Sequence, residues 1–144
     1  MMNELAHACT ALVEVDAKTA FVFLADPKAL GGWALGCWDA KGDRNGLFHG
    51  RSLFSGEKTW GRIDADPARL LVDYLVGSRP DSLLPRISAR VVPGPVAGRP
   101  EDVCLITLTA WRAAGMDDAR WRQLVAAHEA EILLIKGQLE RSQA

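Results

Sequence analysis

Residues 117–141 restrict the possible folds of this chain more than any other stretch. Placed on a helix at about 100° per residue, Trp121, Leu124, Val125, His128, Ile132, Ile135 and Leu139 fall within one arc about 100° wide. The spacing predicts a helix of about 25 residues, roughly 37 Å long. Asp117 is placed to cap its start, and Asp118 lies beside the positive end of the dipole. An apolar stripe of that length needs a broad surface to cover. The residues before it supply one, because most of them read as short strands.

Residues 7–15 alternate, with Cys9, Ala11, Val13 and Val15 on one side and Thr10 and Glu14 on the other, which predicts a half-buried strand. Asp16 opens a short helix over residues 17–25. Asp26-Pro27 then restarts the chain in a new direction, with Asp as N-cap and Pro at the first helical position. Gly31-Gly32 ends this second helix and leaves Trp33 beside the break. Strands are expected over residues 37–41, 47–54, 58–65, 70–76, 86–92 and 103–111. Asp43-Arg44-Asn45-Gly46, Ser55-Gly56 and Asp66-Pro67-Ala68-Arg69 supply the early turns, and residues 93–102, rich in Pro and Gly, read as a surface loop. Such tight connections predict an antiparallel sheet, so the fold class is α+β.

Composition closes off several functions. The 17 basic and 18 acidic side chains give a net charge of −1, which offers no basis for nucleic-acid or anionic-membrane binding. No stretch approaches 18 consecutive apolar residues, so no membrane span is expected, and residues 1–7 do not read as a signal peptide. Cys9, Cys37 and Cys104 are odd in number and scattered, which predicts free thiols and a cytoplasmic setting. His7-x-Cys9 is the only close His/Cys pair, so no metal site is expected. No phosphate-binding glycine loop is present and no cofactor is expected: Gly31-Gly32 follows a helix instead of opening one. At 144 residues the chain is expected to form a single domain over residues 1–144.

This order of elements resembles the SRPBCC, START or Bet v 1-like superfamily, which includes polyketide cyclase/dehydrase-like proteins. The likeness covers nearly the whole chain. It rests on "VDAKTAFVFLADPKALGGWA" from Val15, the Asp-Pro turn before "ARLLVDYLV", and "RWRQLVAAHEAEILLIKGQLE" from Arg120. The resemblance implies the helix-grip fold: a curved seven-stranded antiparallel sheet wrapped around a long C-terminal helix, with two short helices after the first strand. It also implies an apolar internal cavity. The superfamily holds lipid and hormone carriers, polyketide cyclases, Hsp90 activators and quinone-binding proteins. It has no shared catalytic signature, so the fold does not bring a function with it.

Strand alternation places Thr59, Gly61, Ile63, Phe48, Ser52, Phe54, Tyr74, Val76, Ala89, Val91, Cys104, Ile106 and Leu108 on the concave side. The candidate ligand-binding residues are therefore His128, Tyr74, Ser52, Thr59, Phe48 and Cys104, with Leu124 and Ile132 on the helix and Trp33 and Trp38 near the mouth. Small residues among them are expected to leave a pocket within roughly 300–1,000 Å³, its polar end set by His128 and Tyr74. His128 reads as a ligand hydrogen-bonding group, a general acid or base, or a structural histidine bonded to Tyr74 or a backbone carbonyl. Glu129 and Glu131 read as solvated flanks of the helix. The expected function is binding of a small hydrophobic or aromatic ligand, as a carrier or sensor. A cyclase- or dehydratase-like enzyme using His128 and Tyr74, and an interaction module of the Hsp90-activator type, are the alternatives. Apolar residues on the outer sheet face (Leu47, Leu53, Trp60, Leu71, Leu75) and on the back of the long helix (Ala126, Ala130, Leu133, Leu134, Gly137) point to a homodimer.

Overall fold

The computed structural model of the chain describes residues 4–42 and 46–142. The elements run β1 (Ala6–Val13), α1 (Ala17–Leu24), α2 (Pro27–Leu30), β2 (Trp38–Gly42), β3 (Leu47–Arg51), β4 (Lys58–Asp66), β5 (Leu71–Gly77), β6 (Leu84–Pro93), β7 (Cys104–Trp111) and α3 (Asp118–Ser142). All seven strands form one antiparallel sheet in the order β1-β7-β6-β5-β4-β3-β2. The first strand therefore pairs with the last, with Ala6 opposite Trp111 and Val13 opposite Cys104. The curved sheet carries the long helix α3 on its concave side, which is the helix-grip arrangement.

Local chemistry sets the helix starts. The Asp16 carboxylate accepts from Thr19 N at 3.1 Å and Asp26 from Lys28 N at 2.9 Å, with Pro27 at the first position of α2. Asp117 accepts from Arg120 N at 2.8 Å at the head of α3. Gly115, at φ 79°, makes the break that precedes α3. Asp66 accepts from Ala68 N and Arg69 N, closing the β4–β5 turn. Of the expected turn at 43–46, residues 43–45 lie outside the described residues; Gly46 has φ 73°.

Three features depart from the sequence reading. β3 stops at Arg51 instead of reaching residue 54, because Ser52 Oγ accepts from Phe54 N and Ser55 N and folds the chain into a turn. β6 begins at Leu84, and the pairing with β5 slips between Tyr74–Ile87 and Leu75–Pro85. Gly61, expected to leave space, does not: it lies opposite Phe48, and a Cβ there would come within 2.4 Å of the Phe48 ring. The ring fills what the glycine vacates.

One core joins β1, α1, α2, the inner sheet face and α3, with Val13, Leu24, Val72, Ile106, Leu108 and Ile135 at 0 % exposure. Gln138 Nε2 donates to Gly32 O at 2.7 Å and Lys136 Nζ to Leu12 O at 2.6 Å, tying α3 to the α2 turn and to β1. Cys9, Cys37 and Cys104 are free thiols, and burial pushes each up to about 11. Among the described residues, no helix is long and apolar enough to cross a membrane.

Candidate functional site

Between α3 and strands β3 to β6 lies a cavity of about 290 Å³, closed on one side by the chain that follows α2. Its inner walls are the buried side chains of Leu30, Trp33, Phe48 and Tyr74. Phe54, Ser55, Glu57, Ser78 and Arg120 line the other end and are exposed, so the cavity opens there. Arg120, Leu124, Ala127, His128 and Glu131 follow one another along its α3 wall. Eleven residue-to-residue rises from Arg120 to Glu131, at about 1.5 Å each, make that wall about 16 Å long.

His128 is 1 % exposed, and neither ring nitrogen has a hydrogen-bond partner among the described residues. Its ring lies 6.1 Å from that of His7 on β1. Burial, and secondarily His7, push the His128 pKa down to about 4, so the imidazole is neutral at pH 7. The two partners expected for it are otherwise engaged or absent: Tyr74 Oη donates to Leu24 O at 2.6 Å, under the end of α1. Tyr74 therefore gives the cavity a ring wall and not a polar end, and burial holds its hydroxyl well above the usual phenol range. Trp33 stands edge-on to Tyr74 at 5.6 Å and is 2 % exposed, with its Nε1 unpartnered among the described residues.

Glu131 is the main correction at this site. Expected on a solvated flank, it is 7 % exposed and lines the cavity, with Oε2 accepting from Leu35 N at 2.9 Å. Burial pushes its carboxyl up to about 7, and the Leu35 hydrogen bond offsets only part of that rise. The polar end of the cavity is therefore His128, Glu131 and Trp33.

Phe48, Ser52, Thr59 and Leu124 line the cavity with these groups, and Ser52 also holds the β3–β4 turn. Trp38, Cys104 and Ile132 do not line it. Asp39 at φ 53° and the register shift between Trp38 and Lys41 break the alternation of β2, and Trp38 borders open surface beside Lys41 and His49. Cys104 packs at 0 % exposure opposite Val13, in a part of the core that side chains fill. Ile132 follows Glu131 and so points about 100° further round the helix, into the core.

Sequence reasoning also missed Arg86. It sits at the β5–β6 register shift, lines the cavity, and donates Nη2 to Trp111 O at 3.0 Å while its Nε stays buried and unpartnered among the described residues. Burial, then the neighbouring Arg120, hold its guanidinium below the usual range. Pro85 was the available signal, since a proline within a strand marks an edge or a bulge.

No family model matches the chain, and no curated protein matches it in sequence. Solved structures do match its fold. The Zhui aromatase/cyclase from Streptomyces sp. R1128 is 19 % identical, with a TM-score of 0.66 over 96 % of this chain and 95 % of that one. A START superfamily protein from Mycobacterium smegmatis is 13 % identical, with a TM-score of 0.69 over 96 % and 99 %. The Aha1 dimer from Colwellia psychrerythraea is 15 % identical, with a TM-score of 0.68 over 98 % and 100 %. At these identities the likeness is one of fold, the helix-grip fold.

Proposed function

We propose that this helix-grip chain binds a small, largely apolar or aromatic molecule, with a hydrogen-bonding head, between α3 and the sheet. One observation carries the reading. Both nitrogens of His128 and Nε1 of Trp33 are buried without partners among the described residues, and both side chains line the same apolar cavity as Glu131. A buried polar group left unsatisfied costs about 1–3 kcal/mol, which a ligand head that meets it recovers. The fluorescent probe N-phenyl-1-naphthylamine tests this directly. It is expected to bind the wild-type protein saturably and to lose that binding in Ala127→Trp, which fills the helix wall, while thermal melting shows the variant still folded. No saturable signal with the wild-type protein overturns the reading.

An acid–base reaction on the bound molecule is the second reading, favoured by one feature. Glu131 and His128 stand three residues apart on one helix, and burial moves their pKa values to about 7 and about 4. Tyr74 has no part in it, because its hydroxyl is bonded to Leu24 O. This reading stands only if Glu131 titrates near neutrality and His128 far below it, which pH-dependent unfolding of the two single variants reads. An open cavity of about 290 Å³ supports ligand binding over an interaction module with a filled interior. Self-association through the outer apolar surface belongs to the same proposal: Leu53 is 56 % exposed and Leu133 65 %.

A further inference from the structure

Arg86 is unusual for a guanidinium. It is half-buried, and a guanidinium nitrogen that does leave water usually meets an acid. Here one Nη2 bonds a backbone carbonyl, Nε is buried without a partner among the described residues, and no described ion pair includes Arg86. A second cation, Arg120 on the first turn of α3, also lines the cavity and acts on Arg86, and its Nη1 bonds Gln123. Both arginines line the cavity, Arg120 at its exposed end. Of the acids that line it, Glu131 bonds Leu35 N about 16 Å along the helix from Arg120, and Glu57 lies on the exposed β3–β4 loop in no described ion pair. Lys58 also lines the cavity, with its Nζ 5.2 Å from the Trp60 ring centre.

We infer that the ligand is an aromatic acid whose anion sits at the open end of the cavity against Arg86 and Arg120. Its rings lie along Phe48, Leu124 and Ala127, and its far end meets His128 and Trp33. The inference rests on the cavity-binding reading and narrows it to a class. A planar fork with an unpartnered Nε is the donor geometry that carboxylates and sulfonates accept in pairs. An anion there would also relieve the repulsion between the two guanidiniums. The register shift that places Arg86 in the cavity then has a role, since re-aiming a side chain toward a site is what such irregularities do.

Two probes with one skeleton separate the two readings. 1-Anilinonaphthalene-8-sulfonate is N-phenyl-1-naphthylamine with a sulfonate added. The wild-type protein is expected to bind the sulfonate about tenfold more tightly than the neutral parent, the scale of a charge-assisted contact. Arg86→Gln removes that preference, read as the ratio of the two affinities within the same variant. Arg120→Gln, at an exposed position, reduces the preference in part. If the neutral parent binds as tightly as the sulfonate, or the preference survives in both variants, the inference is overturned. In that case loss of parent binding in Ala127→Trp still upholds the cavity. If neither probe binds the wild-type protein, both fall.

Discussion

Glu131 and His128 line one cavity from neighbouring turns of α3, and burial acts on them in opposite senses. The Glu131 carboxyl is raised from an ordinary 4.5 to about 7, so its stabilising form is the protonated one. That contribution is fully present below pH 4.5 and is lost as pH rises toward 7. The His128 imidazole is lowered from 6.5 to about 4, so its stabilising form is the neutral one, present above pH 6.5 and lost as pH falls toward 4. Each shift corresponds to about 3 kcal/mol, and between pH 4.5 and 6.5 the two slopes oppose each other. Urea unfolding of the wild-type protein is therefore expected to vary by less than about 1 kcal/mol across that window. Glu131→Gln exposes the histidine slope and loses about 2 kcal/mol on acidification, while His128→Leu loses a similar amount as pH rises. Parallel pH curves for all three proteins would show that neither group titrates as its burial dictates.

At the scale of elements, the Phe48–Gly61 pair joins β3 to β4 and forms part of the cavity wall. The Phe48 ring is 1 % exposed and lies against the bare Gly61 backbone. Gly61→Ala must displace that ring, at an expected cost on the order of 1–3 kcal/mol in urea unfolding. An unchanged midpoint would mean that the ring has room to move. Element order and helix starts were legible in the sequence because their causes are local: Asp16, Asp26 and Asp117 each bond an amide two or three residues on. Glu131 was not legible, because it falls about 20° outside the apolar arc, beside Leu124. The sheet covers a wider face of α3 than that arc, reaching Ala127 as well. Arg86 and Trp38 escaped for a different reason. Alternation predicts facing only while pairing stays in register, and β5–β6 and β2–β3 both slip. The polar end of the cavity was expected at His128 and Tyr74, and nothing local reveals that the Tyr74 hydroxyl bonds Leu24 O across 50 residues.

The whole molecule buries its inner face and leaves apolar groups outside. Leu133 at 65 % exposure stands on the back of α3, with Ala126 and Ala130 also exposed there, and Leu53 stands in the turn after β3. A stable dimer buries roughly 1,200–2,000 Å² in total, which needs one of these surfaces to act as a continuous patch. Sedimentation is expected to show a monomer–dimer equilibrium that Leu133→Lys shifts to monomer if the helix back is the contact, and Leu53→Lys if the sheet face is. Monomer alone at high micromolar concentration ends the dimer proposal.

The first strand and the last helix hold each other. Glu14 N donates to Glu140 Oε2 at 2.9 Å across 126 residues, and Lys136 reaches Leu12 O across 124. The wall that bears His128 and Glu131 is thus also the clasp that closes the chain on itself. Opening the cavity along α3 releases β1 as well, so there is little room for a local opening that spares the rest. Whatever occupies the cavity then adds to the cooperative stability of the whole fold, by an amount that grows with the logarithm of its concentration relative to its Kd.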